Sequence, residues 1–309
     1  MRILVTGAAG FIGSHITLEF FKRGYEVIAI DNFSRSNFYN FKFVREQGIE
    51  IIKGDIRDAV FLEKLPRVDW IIHAAALINV EESVEKPSLY YDVNVRGTII
   101  LFKKFYEKGT RNFLYISSAA VYGEPKYLPV DEKHPVDPIS PYGASKASAE
   151  FFIKSFYHSL SDFNYVIVRL FNVYGPGQSG EYAGVIARFI ERILQGKSPI
   201  IFGDGLQTRD FIHVDDVARA IITIIEKNRL NEVFNIATGV PRRIRDLAYE
   251  IIKLANAQLE PTYLPPRPGD IVHSYAIPAK IMNLGWKPVI DFSEGLQDVL
   301  KWARSEIST

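Results

Sequence analysis

The first half of the chain alternates short apolar runs with longer segments of helical periodicity. The apolar runs lack the regular polar positions of a strand with one exposed face. Continuous apolar strands separated by helices are typical of a parallel sheet that helices cover on both faces. The pattern therefore predicts a doubly wound α/β fold. The predicted strands are Arg2–Thr6, Tyr25–Ile30, Ile49–Ile52, Asp69–Ile72, Asn112–Ser117 and Tyr165–Phe171, and the longest predicted helices are Phe11–Arg23, Leu89–Lys108 and Tyr142–Leu160.

The rhythm changes after residue 172. Stretches rich in Gly, Pro and polar residues interrupt the alternation, which returns only briefly. We predict a sheet domain of residues 1–172 and 211–238, and a smaller, discontinuous second domain of residues 173–210 and 239–309. The later predicted elements are helices Val185–Leu194, Val214–Glu226 and Ile244–Leu254, strand Val233–Ile236, and two helices near Ile277 and Leu296.

Composition excludes several classes of protein. The 309 residues include 37 basic and 36 acidic side chains, a net charge of +1, which gives no bulk attraction for nucleic acid or an anionic membrane. The absence of Cys excludes disulfide scaffolds and thiolate metal sites, and the six His show no ligand-like spacing. No apolar run approaches the ~20 residues of a membrane span. We expect a cytoplasmic protein without metal, membrane or nucleic-acid partners.

A glycine-rich segment, TGAAGFIG, follows the first predicted strand and opens the first helix. Gly7, Gly10 and Gly13 suit a tight turn, close approach of a pyrophosphate and close helix–strand packing. Asp31 ends the second strand, where a carboxylate can bind a ribose diol and repel a 2′-phosphate, so NAD is favoured over NADP. Arg35 weakens that preference. A purely structural glycine turn and a solvated Asp are the alternatives.

Tyr142 and Lys146 lie four positions apart in a predicted helix, which places both on one face. A neighbouring ammonium favours phenolate, so we expect Lys146 to lower the pKa of Tyr142. Such a tyrosine can take a proton from a sugar hydroxyl. Ser118, at the carboxyl end of the preceding strand, is placed to bond the reacting oxygen, and Ser117 is the weaker candidate. The alternative is an incidental surface pair.

Taken together, these segments resemble the nucleotide-sugar epimerase/dehydratase branch of the extended short-chain dehydrogenase/reductase family. The resemblance covers nearly the whole chain. It rests on TGAAGFIG, Asp31, GDIRD, HAAA at 73–76, Asn94, SSAAVYG, Tyr142-x-x-x-Lys146, RLFNVYGPGQ, GDGLQTRDFIHVDD and RPGD.

The resemblance implies NAD as the cofactor and a nucleoside diphosphate sugar as the substrate. Further cofactor contacts are implied at Phe11, Ile12, Asn32, Asp55, Ile56, Ala74, Ala75, Ala76, Asn94, Ser117 and the Tyr142–Lys146 pair. Substrate contacts are implied at Ser118, Tyr142, Asn172, Gln207, Arg209, Arg267, Asp270 and Ser274. Guanidinium groups suit phosphate oxygens, although surface arginines of no specific function are the alternative for Arg209 and Arg267.

The branch of the family follows from two small residues. Dehydratases of this family carry an Asp-Glu pair at the positions of Ala119 and Ala120, and decarboxylases carry a Glu at the second of them. The resemblance therefore implies UDP-hexose 4-epimerisation of the glucose/galactose type, in which Tyr142 moves the proton and NAD takes and returns hydride. The small Ser274, and Ile78 where strict epimerases have Lys, predict that UDP-GlcNAc and UDP-GalNAc are also accepted.

Alternatives remain at this point. They are a UDP-glucuronate 4-epimerase, a dehydratase whose acid lies elsewhere, and a non-catalytic NAD-binding regulator. The aromatic face of Phe151, Phe152, Phe156 and Tyr157 is compatible with a helix of a second copy, so we expect a homodimer, with a buried core face as the alternative.

Overall fold

The computed structural model describes residues 1–178, 184–267 and 271–307. The strands are β1 (Arg2–Thr6), β2 (Glu26–Asp31), β3 (Ile51–Lys53), β4 (Trp70–His73), β5 (Asn112–Ser118), β6 (Asn164–Leu170), β7 (Asn172–Tyr174), β8 (Ile200–Phe202), β9 (Thr208–His213), β10 (Glu232–Ile236), β11 (Pro241–Arg243), β12 (Thr262–Leu264) and β13 (His273–Ser274). The helices are α1 (Phe11–Lys22), α2 (Phe38–Arg45), α3 (Ala59–Lys64), α4 (Val80–Glu85), α5 (Pro87–Tyr90), α6 (Gly97–Glu107), α7 (Pro141–Ser159), α8 (Val185–Leu194), α9 (Val214–Glu226), α10 (Ile244–Leu254), α11 (Ala279–Met282) and α12 (Phe292–Ile307).

Seven strands form one parallel sheet in the order β10-β6-β5-β4-β1-β2-β3. The order reverses between β1 and β4, and in such sheets ligands bind in the crevice at the carboxyl ends of these two strands. The doubly wound α/β fold expected from the sequence is confirmed.

Both faces of this sheet are buried, which explains the continuous apolar strands. On β1, Ile3 and Val5 pack into the cluster that includes α1 and α9. Leu4 points the other way, into the cluster with α3, α6 and α7. Alternate residues of one strand thus enter different cores, and polar substitution is costly at every position.

A second layered unit lies beyond β7. Strands β7, β9, β11 and β13 form a four-stranded sheet, and β8 pairs with β12. The amphipathic helix α8 packs against α10 and α12 through a separate apolar cluster. The sequence pattern does not predict these short strands. It indicates irregular chain in these segments. The residue boundaries of the two domains remain a prediction.

The predicted helix Leu89–Lys108 is interrupted in the structure. Helix α5 passes through a π-helical segment, Tyr91–Arg96, before α6 begins. Asn94 in this segment is buried and bonds both the backbone N–H and the carbonyl of Leu77, at 2.8 and 2.9 Å. Wider turns of this kind occur frequently at functional sites.

Candidate active site

A cavity of about 330 Å³ lies at the β1/β4 switch point. The glycine-rich loop, the carboxyl ends of β2 and β3, and the segment after β4 form its walls. Among the sequence-predicted cofactor residues, those lining it are Gly7, Gly10, Phe11, Ile12, Gly13, Asp31, Asn32, Asp55, Ile56, Ala74, Ala75 and Ala76. These residues come from four separate segments of the chain, and the fold brings them together.

The glycine-rich loop leaves room for a phosphate group beside the start of α1. Gly7 has φ +71°, and a Cβ there would lie 2.8 Å from the backbone N of Ala75. A Cβ on Gly13 would overlap the carbonyl of Gly7. Gly10 is the N-cap of α1 and contributes no side-chain cap, so backbone N–H groups of the first turn lack such a partner, and the residues of this turn line the cavity. This cradle fits a pyrophosphate at a helix N-terminus.

Asp31 is fixed by backbone donors. Its carboxylate accepts from Ala9 N at 3.0 Å and from Phe33 N at 2.7 Å. Burial raises the pKa of Asp31 above its usual value, against the opposing effect of these bonds. A buried carboxylate at the end of β2 has the chemistry expected for a ribose diol.

Asp55 is held differently. Arg57 donates to both of its oxygens, at 2.9 and 2.8 Å, and Asn32 donates at 2.9 Å. The Arg57 bond is the largest cause that lowers the pKa of Asp55 to about 2. Asp55 and Asn32 therefore brace one another at the cavity wall.

Several residues that surround the cavity carry no sequence pattern typical of a cofactor contact. Asn37, Asn40, Gly177 and Gln178 line it, and the side-chain amides of Asn37 and Asn40 donate to the carbonyl of Gly177 at 2.9 and 3.0 Å. The YGPGQ segment belongs to a motif of the family resemblance, but its contact with α2 depends on tertiary packing and is not visible in the sequence. Asn40 lies in a helix and shows no distinguishing pattern.

Arg35 and Glu82 face each other beside the same cavity. Arg35 lines it, and its guanidinium bonds the Glu82 carboxylate at 2.7 Å. Arg35 therefore has a carboxylate partner from α4, which reduces its attraction for a 2′-phosphate. This contact supports the sequence-based preference for NAD.

The Tyr142–Lys146 pair is buried in the first turns of α7. Ser140 caps this helix, and the backbone N of Tyr142 bonds the Ser83 hydroxyl at 3.1 Å. The Tyr142 phenol interacts with the hydroxyl of Ser118, at the end of β5. The Lys146 ammonium lies 4.3 Å from the ring centroid of Tyr115.

The pKa values differ from the sequence-based expectation. Burial raises the pKa of Tyr142, and the interaction with Ser118 offsets only part of that effect. Burial lowers the pKa of Lys146 to about 7, against the opposing charge of Glu150. The expected lowering of the Tyr142 pKa by Lys146 is therefore wrong for the protein groups alone, because desolvation of the phenolate dominates.

Ser117 and Asn94 hold neighbouring parts of the site. The Ser117 hydroxyl donates to Glu150 at 2.5 Å, and Glu150 forms a buried ion pair with Arg169 at 2.6 Å. Asn94 bonds Leu77 and the hydroxyl of Ser145. Neither side chain lines the cavity, and their cofactor contacts remain predictions.

The predicted substrate residues gather around β9. Ser274 and Arg209 are cross-strand partners on β13 and β9, and Asn172 on β7 pairs with Phe211 of β9. Gln207 bonds the carbonyl of Phe202 at 2.7 Å.

Arg267 connects this group to the tyrosine side of the site. Its guanidinium stacks 3.9 Å from the ring centroid of Phe202. It also pairs with Glu81 of α4 at 3.2 Å, two residues from the Ser83 hydroxyl that holds Tyr142. Asp270 lies outside the described residues.

The described ranges contain no group of three or more His, Asp or Glu side chains that could hold a metal ion. A helix with the length and apolar character needed to cross a membrane is likewise not found among these residues.

Comparison with known proteins identifies the family of this chain. The model of the NAD dependent epimerase/dehydratase family matches residues 3–237. A protein of Methanocaldococcus jannaschii, provisionally named a UDP-glucose 4-epimerase, is 44% identical over 313 residues, which cover 99% of this chain and 100% of that one.

Two solved structures are similarly close. The UDP-glucose 4-epimerase of Thermotoga maritima, crystallised with UDP-glucose, has a TM-score of 0.93 and 37% identity, and covers 99% of this chain and 100% of its own. The UDP-N-acetylglucosamine 4-epimerase of Methanobrevibacter ruminantium, in complex with UDP-N-acetylmuramic acid, has a TM-score of 0.92 and 39% identity over 99% and 98% of the two chains. The chain is a member of the NAD dependent epimerase/dehydratase family.

Proposed function

We propose that this protein interconverts the C4 epimers of UDP-hexoses with NAD held in the β1/β4 cavity. The observation that carries the proposal is the buried Tyr142–Lys146 pair, whose tyrosine interacts with Ser118 and packs on Leu77, a residue that lines the cavity suited to a dinucleotide. The epimerases similar to this chain over nearly its whole length support it.

Each side chain has a role in this chemistry. Bound NAD would supply the acceptor and donor of hydride at the sugar carbon. Tyr142, as phenolate, removes the proton of the C4 hydroxyl and later returns it to the C4 oxygen, after the 4-keto sugar has turned its other face towards the cofactor. Ser118 bonds the reacting oxygen, and Lys146, four residues beyond Tyr142 on the same helix, would bind the nicotinamide ribose of bound NAD.

The residues after Ser118 separate epimerisation from dehydration. Ala119 and Ala120 form a short helical turn after β5 and carry no acid or base. Elimination of water from the keto sugar needs a proton transfer that these positions do not provide. We therefore propose an epimerase rather than a dehydratase.

In this proposal the nucleotide-sugar contacts come largely from the part of the chain after residue 171. Arg209 and Arg267 bind the diphosphate, and Asn172, Gln207, Asp270 and Ser274 complete the substrate set. Ser274 is small and half-buried, which leaves room for a 2-acetamido group. We accordingly propose turnover of UDP-GlcNAc as well as UDP-glucose, as the relationship to a UDP-N-acetylglucosamine epimerase supports.

A product assay without added NAD tests the proposal. Mass spectrometry and NMR should show that UDP-glucose and UDP-GlcNAc become their C4 epimers with no change of mass. Conversion to a lighter product would indicate dehydration or decarboxylation instead. Failure of UDP-GlcNAc alone would refute the broader specificity and leave the epimerase assignment intact.

Substitution of the acid/base residue is the sharper test. Tyr142→Phe is expected to lower kcat by roughly 10²–10⁴-fold, because it removes the only group proposed to move the proton. Tyr165→Phe is the matched control, since both tyrosines are 9% exposed and Tyr165 lies opposite Phe113 at the amino end of β6, whereas Ser118 lies at the carboxyl end of β5. Equal activity of the two variants would contradict the role of Tyr142.

We also propose a cellular location and an oligomeric state for this protein. A chain without Cys whose proposed reaction uses NAD and UDP-sugars suits the cytoplasm. We propose a homodimer through α7, whose Phe151 and Phe152 are exposed while Phe156 stacks inward on Phe102.

A further inference from the structure

His73 is a fully buried titratable residue that the proposed chemistry does not use. It ends β4, and both of its ring nitrogens meet threonine hydroxyls. Nδ1 lies 2.7 Å from Thr6 Oγ1 and Nε2 lies 2.9 Å from Thr98 Oγ1. The ring thus joins the last residue of β1 to helix α6 beneath the cofactor cavity.

The neighbouring groups fix the direction of every hydrogen bond. Thr98 donates its hydroxyl proton to the carbonyl of Asn94 at 2.7 Å, so it accepts from Nε2–H of His73. Burial, with a contribution from Lys146, lowers the pKa of His73 to about 3. A neutral imidazole has a single N–H, so Nδ1 accepts from the Thr6 hydroxyl. Thr6 Oγ1 in turn accepts from the backbone N of Ala75 at 3.1 Å.

This chain of bonds holds both ends of the Ala74–Leu77 segment, which lines the cavity. Ala75 is bound at one end through Thr6. At the other end, Asn94 bonds the N–H and the carbonyl of Leu77. The backbone of Ala75 also packs directly against Gly7, so a shift of this segment would disturb the dinucleotide loop.

The same network reaches the helix that carries the acid/base pair. Asn94 donates to the Ser145 hydroxyl at 2.9 Å, and Ser145 donates to the carbonyl of Tyr142 at 2.7 Å. The Lys146 ammonium interacts electrostatically with His73 and Glu150 and lies over the Tyr115 ring. A neutral His73 therefore adds no second cation beside Lys146.

We propose that His73 is a positioning residue which, as the Nε2–H tautomer, links Thr6 to Thr98 and fixes the Ala74–Leu77 segment relative to the bound cofactor and the Tyr142 helix. This inference rests on the proposed function, since its consequence is correct alignment of cofactor and sugar for the transfer step. Small displacements of reacting groups are sufficient to slow such a step strongly.

Thr98→Val tests the link without changing side-chain volume. It removes the acceptor of Nε2–H, and we expect kcat per bound NAD to fall about tenfold with KM for the UDP-sugar changed less than about twofold. Thr17→Val is the matched control, because Thr17 is equally buried in α1 and its hydroxyl has no partner among the described residues. Wild-type kcat and KM in Thr98→Val would overturn the proposal.

A comparison at His73 itself covers the case in which Thr98→Val does not fold. His73→Gln offers an amide N–H donor and a carbonyl acceptor in place of the N–H and the acceptor nitrogen of the neutral ring, whereas His73→Leu offers neither. We expect His73→Gln to keep several-fold more activity per bound NAD than His73→Leu. Equal activity of these two variants would refute the positioning role.

A spectroscopic measurement is independent of turnover. ¹⁵N NMR of the wild-type protein should show His73 protonated at Nε2 only, with unchanged signals from about pH 5 to pH 9, where an ordinary imidazole titrates. A cationic ring or an Nδ1–H tautomer would overturn the proposal. If the wild-type protein epimerises no UDP-sugar, the proposed function fails, whereas this measurement still decides the state of His73.

Discussion

At the scale of single residues, Asp31, which we propose binds the adenosine ribose of NAD, has an acidity that is set by its surroundings. Asp31 is buried at the end of β2, and two backbone N–H groups hold its oxygens. Burial is the larger influence, so its pKa is raised. The ionised form is needed to accept bonds from a ribose diol, and protonation removes that ability.

This acidity predicts a pH dependence of NAD binding. As pH falls through the raised pKa of Asp31, the carboxylate protonates and NAD affinity should decrease at a higher pH than for an ordinary Asp. Asp31→Asn should weaken NAD binding by roughly ten- to a hundredfold at neutral pH, the loss of about 1.5–3 kcal/mol from a bond to a charged group, and should abolish this dependence. Equilibrium dialysis against NAD measures both effects. Asp58→Asn, at the cap of α3, is the control, and an unchanged pH dependence in Asp31→Asn would contradict the assignment.

Many of the residues that line the cavity were predicted from sequence, whereas the charge states of the neighbouring buried groups were not. The spacing of Tyr142 and Lys146 and the position of Asp31 after a strand are local patterns. The pKa of Lys146, about 7, results from complete burial of its amine among β4, β5 and α7. No local pattern contains that information, because burial is decided by residues distant along the chain.

At the scale of elements, a buried ion pair joins α7 to the central sheet. Glu150 accepts from Arg169 of β6 and from Ser117 of β5, and both charged side chains are about 2% exposed. Glu150 lies one helical turn beyond Lys146, so this pair anchors the helix that presents Tyr142. Removing one partner of a buried pair leaves an uncompensated charge.

We therefore expect Glu150→Gln to reduce the free energy of unfolding by about 3–5 kcal/mol. The double variant Glu150→Leu/Arg169→Met should lose much less, because neither charge remains buried. Urea denaturation gives both values. Glu46→Gln is the matched control at an exposed Lys42–Glu46 pair and should change stability by no more than about 1 kcal/mol. A similar small loss in Glu150→Gln would show that Arg169 finds another partner.

The elements that sequence reasoning placed correctly are those whose pattern is long and apolar. The six strands predicted before residue 172 and the strand Val233–Ile236 all belong to the seven-stranded sheet. The break between α5 and α6 was missed because the apolar pattern continues through it, and the wider turn is stabilised by Asn94 bonds to a segment far from it in sequence.

At the scale of the whole molecule, the exposed aromatic side chains of α7 predict an assembly. Phe151 and Phe152 are 59% and 42% exposed, whereas Phe156 and Tyr157 pack on the core. The four aromatic side chains that the sequence predicts on one face are thus divided, since two pack on the core and two lie at the surface. A pair of adjacent exposed phenylalanines on a long helix favours contact with a second copy.

Light scattering coupled to size exclusion should find a dimer of the 35.1 kDa chain. Phe151→Glu/Phe152→Lys should shift it to the monomer, because charges replace the apolar contact. Phe38→Glu is the control, since this phenylalanine is even more exposed but lies on α2, remote in sequence from α7. A monomeric wild-type protein, or a dimer unaffected by the double change, would refute this interface.

Contacts at the wall of the cavity affect how readily a bound cofactor exchanges with the solution. Arg35 lines the cavity and is bonded to Glu82, and Asn37 and Asn40, which also line it, bond the carbonyl of Gly177. We expect such contacts at the cavity wall to slow the release of a bound dinucleotide. The proposed reaction ends with the cofactor in its starting oxidation state, so a retained molecule serves many turnovers. Epimerisation would then proceed independently of the ratio of oxidised to reduced nicotinamide in the surrounding solution.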